Sequence, residues 1–400
     1  LGGGRQFLMV VYGNVPSGEV LTFKFYDYET DAVHDISETI EFDLNLALGN
    51  VLNPLEFNIY LGLDINAPLA TGWNWISLNI YTPDMSLDAL LESLDANAAY
   101  IKNQISFSDY YADFGWYGTL DTLNNASMYK LDMSNEDNIV LYGMPVDVDE
   151  TVLDLASGWN WIGYTPQVTW DLNTALYNIP DGNAIYIKSQ VGFADYYPGF
   201  GWFGTLEYMD PYSGYQLRLS ESTQFTYNEG DDGVASFNGS DNSYLRQTDV
   251  FDLNVHDYEN NGSMTVALYL DDDRIDSNDY LLAAFDGNQC VGYTHGLVFP
   301  LDGNMIFPLM VYGNQDNARL SFKVYEQSTG SYHDIQEKLT FTADMRLGNG
   351  FEPVTMTMTD EQPGAYSVGL PYPNPFNPIV NVDVDLSSES YVQLKFDSSS

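Results

Sequence analysis

Nine residues, Asp271-Asp272-Asp273-Arg274-Ile275-Asp276-Ser277-Asn278-Asp279, hold five carboxylates and one side-chain amide. Hard divalent cations take about six to eight oxygen ligands, and Asp and Asn clustered on a loop can supply them. Asp271, Asp273, Asp276, Asn278 and Asp279 are therefore candidate Ca2+ ligands, and Ca2+ is the one cofactor suggested. The loop is not an EF-hand, because the central glycine and closing glutamate of that loop are absent. The alternative is a solvated acidic hairpin turn. Glu229, Asp231 and Asp232 make a thinner cluster of the same kind.

A second chemistry belongs to rings. Asp109-Tyr110-Tyr111 and Phe114-Gly115-Trp116-Tyr117-Gly118 form a stretch dense in aromatics and glycine, and Asp195 to Gly204 repeats it. Tyr110, Trp116, Tyr196 and Trp202 are candidates for stacking on sugar faces, with Asp109 or Asp195 accepting hydroxyl hydrogen bonds. Equally, such rings can centre a protein contact or fill the interior of a small module. His34-Asp35 and His333-Asp334 invite comparison with a catalytic dyad. Neighbours in a strand point to opposite faces, and no serine or cysteine accompanies both copies, so a structural position is expected. The four histidines lack zinc-ligand spacing. No Gly-x-Ser-x-Gly, phosphate-binding loop or dinucleotide fingerprint is present. With 57 acidic residues, a carboxylate pair for glycoside hydrolysis carries no information. No catalytic residue is nominated, and a non-enzymatic protein is expected. The single cysteine, Cys290, sits in a strand-like stretch and reads as a small buried hydrophobe.

These residues must be positioned by repeated units. Gly72-Trp73-Asn74-Trp75-Ile76 returns 86 residues later as Gly158-Trp159-Asn160-Trp161-Ile162. At the same offset Tyr100-Ile101-Lys102-Asn103-Gln104 matches Tyr186-Ile187-Lys188-Ser189-Gln190, and Phe114-Gly115-Trp116 matches Phe200-Gly201-Trp202. In each copy an amphipathic stretch follows the Trp strand, Asp84 to Leu94 and Asp171 to Ile179. Leu87, Leu90, Leu91 and Leu94 fall at helical spacing behind Asp84 or Ser86 as N-cap. One Trp of each pair, Trp73/Trp75 and Trp159/Trp161, is expected in the core, with its partner toward a helix or a neighbouring module.

A second duplication joins the two ends. Val11-Tyr12-Gly13-Asn14 returns as Val311-Tyr312-Gly313-Asn314, and Leu48-Gly49-Asn50 returns as Leu347-Gly348-Asn349. The later copy is preceded by strand-like sequence from Asp249 to Pro300 that the first copy lacks. Two origins fit the missing front strands: a longer chain that begins upstream, or a neighbouring molecule that lends them. The organisation predicted is a partial β-sandwich at 1–60, Trp modules at 64–148 and 149–219, a linker at 220–248, a complete β-sandwich at 249–359 and a terminal segment at 366–400. The fold class is mainly β: tandem sandwich-like domains plus two small β-rich modules, each with one short helix.

Thirteen Lys and Arg stand against 57 Asp and Glu, a formal charge of -44. Such a surface repels nucleic acid and anionic membranes, which require basic patches. No apolar run approaches the ~20 residues that span a bilayer, so no transmembrane segment is expected. Leu1 to Arg5 has neither the basic start nor the apolar core of a signal peptide, so the true N-terminus is expected upstream.

The terminal segment reads Tyr372-Pro373-Asn374-Pro375-Phe376-Asn377-Pro378, followed by alternating strands at Val380 to Leu386 and Tyr391 to Phe396. This closely resembles the C-terminal sorting domain of type IX (Por) secretion substrates of the Bacteroidetes–Chlorobi lineage, over about residues 366–396. The chain departs from that pattern at Asp397 to Ser400, where the usual aspartate-glycine turn and further strand do not follow. The Trp repeats and Asn278-Asp279-Tyr280-Leu281-Leu282-Ala283-Ala284-Phe285 are also similar to repeats of large surface proteins of such bacteria. The resemblance implies export to the cell surface or beyond, and no chemistry. The expectation is a secreted structural or adhesive protein that associates with itself or a surface ligand, in its sharper form a filament or layer built by sharing strands. The alternative is an array of carbohydrate-binding modules.

Overall fold

The computed structural model describes residues 7–28, 32–57, 62–228 and 250–359, with the short paired strands 367–368 and 384–385. Tyr372–Pro378 and the Glu229–Asp232 cluster lie outside the described residues. The described chain is mainly β, and its helices are one or two turns long. No helix in it is long and apolar enough to cross a membrane.

The first segment is an antiparallel hairpin of β1 (Ser17–Asp27) and β2 (Ala32–Asp43). Leu21, Phe23 and Phe25 alternate onto one side of it. None of the described residues of this hairpin is buried, because no second layer of described strands covers it.

Each Trp module is a five-stranded antiparallel sheet of identical order. In module 1 the strands are β3 (Gly72–Ile76), β4 (Ala98–Lys102), β5 (Phe107–Tyr111), β6 (Gly115–Gly118) and β7 (Tyr129–Met133), arranged β3-β7-β4-β5-β6. In module 2 they are β8 (Gly158–Gly163), β9 (Ala184–Lys188), β10 (Phe193–Tyr197), β11 (Gly201–Gly204) and β12 (Gly214–Leu219), arranged β8-β12-β9-β10-β11. The Gly-Trp-Asn-Trp strand is thus an edge strand in both. Gly72 and Gly158 enter it at φ 86° and 91°, a left-handed conformation open to glycine. The following Asn locks that turn. The Asn74 amide accepts from Ala70 N (3.0 Å) and donates to Ala70 O and Gly72 O (2.8 Å each), and Asn160 does the same with Ala156 and Gly158.

The helices are single turns, α1 (Leu87–Leu90) capped by Ser86 and α2 (Leu172–Ala175) capped by Asp171. They lay Leu87 and Leu90, and Leu172 and Ala175, on the inner face of each sheet. A paired strand closes each module at its side, Leu63–Leu69 with Asp137–Pro145 and Leu153–Leu155 with Thr223–Phe225. Module 2 therefore runs on to Tyr227, whose buried hydroxyl donates to Gly163 O at 2.9 Å.

The two tryptophans of each pair do not divide between core and surface. Residues i and i+2 of a strand share a face, so Trp73 and Trp75 lie together on the outer side, as do Trp159 and Trp161. The inward places belong to Asn74 and Ile76, and to Asn160 and Ile162.

The last domain contains β13 (Asn260–Leu270), β14 (Tyr280–Asp286), β15 (Gln289–His295), β16 (Met305–Gly313), β17 (Arg319–Glu326), β18 (Ser331–Ile335) and β19 (Val354–Thr359). Their path is β15-β14-β17-β18-β19-β13-β16. β13 is central: it pairs antiparallel with β16 and parallel with β19. The path curls until β15 meets β16, where a Cβ on Gly292 would lie 2.1 Å from Met310 O. Alternate residues, among them Met264, Val266, Leu282, Phe307, Leu309, Phe322 and Met356, then meet in one enclosed core.

Candidate functional site

The two modules join through reciprocal contacts made by the same repeat positions. Gln190 Oε1 accepts from Trp75 N at 3.1 Å, and its Nε2 donates to Trp73 O at 2.7 Å. Gln104 Oε1 accepts from Trp161 N at 3.0 Å, and its Nε2 donates to Trp159 O at 2.9 Å. Each glutamine amide thus acts as a missing peptide unit on the other module's edge strand, satisfying backbone groups that an edge leaves open. Three backbone bonds run beside the exchange, Ser77 N to Tyr212 O and Gly163 N to Ala126 O at 2.9 Å and Met128 N to Trp161 O at 3.3 Å.

The basic residues gather at this junction. Lys130 Nζ lies 4.7 Å from the Trp75 ring and 4.9 Å from the Trp161 ring, and donates to Glu259 O and Asn260 Oδ1. Lys188 Nζ lies over Trp75 and Trp159 and donates to Asn261 and to Asp344 Oδ1 at 2.7 Å. Lys102 pairs with Glu259. Arg218 stacks on Trp159, and Arg346 covers Tyr186 while its Nε donates to Asp195 Oδ1 at 2.8 Å. The outer face of module 2 and the near edge of module 1 are clamped in this way onto the last domain. Burial, with Lys188 close by, pushes the Lys130 amine down to about 7, and burial raises the Asp195 carboxyl to about 6 against the pull of Arg346. Gln216 stands where module 1 has Lys130. It is buried, and its amide finds no partner among the described residues.

The ring candidates divide by face. Trp202 is 8% exposed and packs into the core of module 2, with Tyr196 edge-on at 5.2 Å. Trp116 is half-buried against the core of module 1, with Tyr110 edge-on at 5.4 Å. The hydroxyls of Tyr110 and Tyr196 donate to Asp95 and Asp181. The rings on the outer side are Phe107, Tyr111 and Tyr117 in module 1, and Phe193, Tyr197 and Phe203 in module 2.

The acidic run spreads along a hairpin. Asp271, at φ 53°, and Asp272 form the two-residue turn between Leu270 and Asp273. Asp276 accepts from Met305 N, Asp279 accepts from Ser328 N, and the Asn278 carbonyl accepts from Gln327. Among the described residues no group of three or more His, Cys, Asp or Glu is arranged to hold a metal. The members of the second His-Asp pair face different partners, His333 3.5 Å from Glu326 and Asp334 3.4 Å from Lys323. Cys290 is buried, and burial pushes its thiol up to about 11.

The duplicated strand phrase meets two environments. In β16, Phe307, Leu309, Val311 and Tyr312 are buried. In the first copy Phe7 is 83% exposed and Tyr12 87%, and Leu8, Met9 and Val10 are exposed with them. Residue type does not account for this difference. What differs is a neighbour: β16 pairs with β13 along seven residues from Asn260 to Val266, and residues 7–12 pair with no described strand.

Sequence reading missed the junction residues Gln104, Gln190, Lys130 and Asp344. Two signals pointed there: the glutamine closing both Tyr-Ile-Lys-x-Gln phrases, and the scarcity of cations in a chain with only thirteen. Compared with protein-family models, curated proteins and solved structures, the chain finds no match.

Proposed function

We propose that the chain is a non-enzymatic, exported surface protein, structural or adhesive, that assembles with copies of itself by completing an open β-domain with a strand supplied in trans. One observation carries this reading: the same strand phrase is enclosed at 307–312 and open to solvent at 7–12. An open strand carries a row of unpaired amides and carbonyls, which makes it a template for another strand. The matching partner is a strand of the Asn260–Leu270 type, because that sequence pairs with the phrase in the closed copy; within each copy that strand is held between β16 and β19, so a copy supplies it by exchanging it out of its own last domain. The tail resembling a sorting domain supports export, and the charge of -44 supports a place outside the cell. Assembly is favoured over glycan binding because the repeated tryptophans are engaged in packing between modules.

The test is sedimentation of the chain across a wide concentration range, with and without a synthetic peptide of residues 260–270. The expected result is concentration-dependent association that excess peptide dissolves and Val11→Glu abolishes. A chain that stays monomeric throughout, or an assembly indifferent to both peptide and substitution, overturns the reading.

A further inference from the structure

Part of the contact between module 2 and the last domain lies between the outer face of β10–β11, loop 344–352 and Phe299. The Tyr197 ring lies 5.0 Å from Phe299 and 5.6 Å from Phe351, its hydroxyl accepts from Gly350 N at 2.7 Å, and Phe203 lies 5.6 Å from Phe299. Arg346 closes the contact on Asp195. The loop, residues 344–352, has a defined build. Asp344 and Gly348 sit at φ 62° and 70°, and Asn349 Oδ1 accepts from Phe351 N and Glu352 N.

Both halves of this contact occur a second time. Residues 45–53 repeat the loop: Asn45 and Gly49 both sit at φ 65°, Asn50 Oδ1 accepts from Leu52 N (2.9 Å) and Asn53 N (3.0 Å), and Asn50 N donates to Asn53 O as Asn349 N does to Glu352 O. That loop leaves Leu46, Leu48 and Leu52 in solvent. The outer face of β5–β6 repeats the docking face, with Phe107, Tyr111 and Tyr117 in the places of Phe193, Tyr197 and Phe203, and these rings are exposed. Monomeric soluble proteins rarely leave matched apolar patches uncovered.

We infer that loop 45–53 of one copy docks on the β5–β6 face of a second copy, with Leu52 taking the place that Phe351 has on Tyr197. The other loop of this build, 344–352, is engaged by module 2 and cannot serve. The chain's own loop is not the occupant in this structure, because Leu52 and the face are exposed together, and only residues 58–61 separate segment 32–57 from module 1. The template is not repeated in full. Ala47 stands where Arg346 pairs with Asp195, which leaves Asp109 without that arginine, and Asn45 stands where Asp344 accepts from Lys188. Phe299, which touches Tyr197 and Phe203, belongs to the stretch 249–300 that the first copy lacks. The contact between copies is therefore weaker than the one within the chain. Its surface is distinct from the open strand at 7–12, so the two associations fail separately.

The test is sedimentation velocity on the full chain with peptide 260–270 in excess, which closes the strand face and leaves the loop contact. Ala47→Arg supplies the missing guanidinium and is expected to tighten association about tenfold, as one added charge-assisted pair does. Adding Asp109→Ala to Ala47→Arg removes that gain, and Tyr111→Ser weakens the association of the native chain. An unchanged association in Ala47→Arg, a gain that survives Asp109→Ala, or a native association that Tyr111→Ser leaves intact overturns the inference.

Discussion

Phe107 and Phe193 hold the same place in two copies of one module, yet the first is 47% exposed and the second 2%. Around them the same ladder repeats. Trp73 meets Tyr100 edge-on and Tyr100 stacks on Phe107, both at 5.9 Å, and Trp159, Tyr186 and Phe193 do the same at 5.7 Å. The modules fold alike, so the difference comes from what covers them. The last domain lies over the whole outer face of module 2, where Tyr186 and Phe193 join Val255, Met310 and Tyr312 in one cluster, and it reaches only the near edge of module 1. A repeat fixes a surface, and its neighbour decides whether that surface is core.

Truncation breaks the comparison most strongly. Phe193→Ala removes a fully buried ring and is expected to cost about 3–5 kcal/mol, whereas Phe107→Ala is expected to cost about 0.5 kcal/mol, as surface changes do. Denaturation midpoints of the two variants measure this, and equal shifts would show that the outer face of module 2 is not held by the last domain.

The next effect is the charge of Lys130, which module 2 replaces with Gln216. Below about pH 7 the amine is protonated in both folded and unfolded chains, and the cost of desolvating it is fully present. Above that pH the folded chain has released a proton that the unfolded chain keeps until about 10.5, so stability rises with pH. Relative to Lys130→Gln, the native chain is expected to gain about 2 kcal/mol between pH 7 and pH 9. Parallel stability curves for the two chains across that range would mean that the amine is not desolvated. Asp195 acts in the opposite sense at lower pH. Its raised folded value contributes stability below the unfolded 3.8 that is lost as pH climbs through about 6.

The smallest effect separates the two glutamines. Gln104→Ala leaves Trp161 N and Trp159 O unpaired, and Gln190→Ala leaves Trp75 N unpaired while Trp73 O keeps His256 Nδ1 at 2.6 Å, each at about 1–2 kcal/mol. Gln190→Ala is expected to cost the more, because Trp75 is buried and Trp161 half-buried. Faster amide exchange at Trp75 in one variant and at Trp161 in the other is the readout. Exchange unchanged at either site would remove the glutamines from the junction.

Much of the architecture was legible. Alternation in Leu21–Phe25 and the two offsets gave β-structure and the repeated units, and Ser86 and Asp171 marked the helix starts that they cap. The candidate sites were less legible. Tyr196 and Trp202 are as aromatic as Tyr197 and Phe203, and the one-residue alternation that sends the first pair inward depends on the register of β10 with β9 and β11. The acidic run showed how many oxygens were available, but a two-residue turn at Asp271-Asp272 spreads them along a hairpin.

The sequence alone determined the repeat unit, its strands and turns, and the fact that one strand phrase occurs twice, because periodicity and glycine placement act within a few residues. Only the tertiary structure decided which copies are buried, which face of the sheet Trp73 and Trp75 take together, and how Gln104 and Gln190 exchange places on each other's edges. Burial and long-range hydrogen bonds belong to pairs of surfaces. A residue's partner 115 positions away, as Gln190 is from Trp75, leaves no trace in its local sequence.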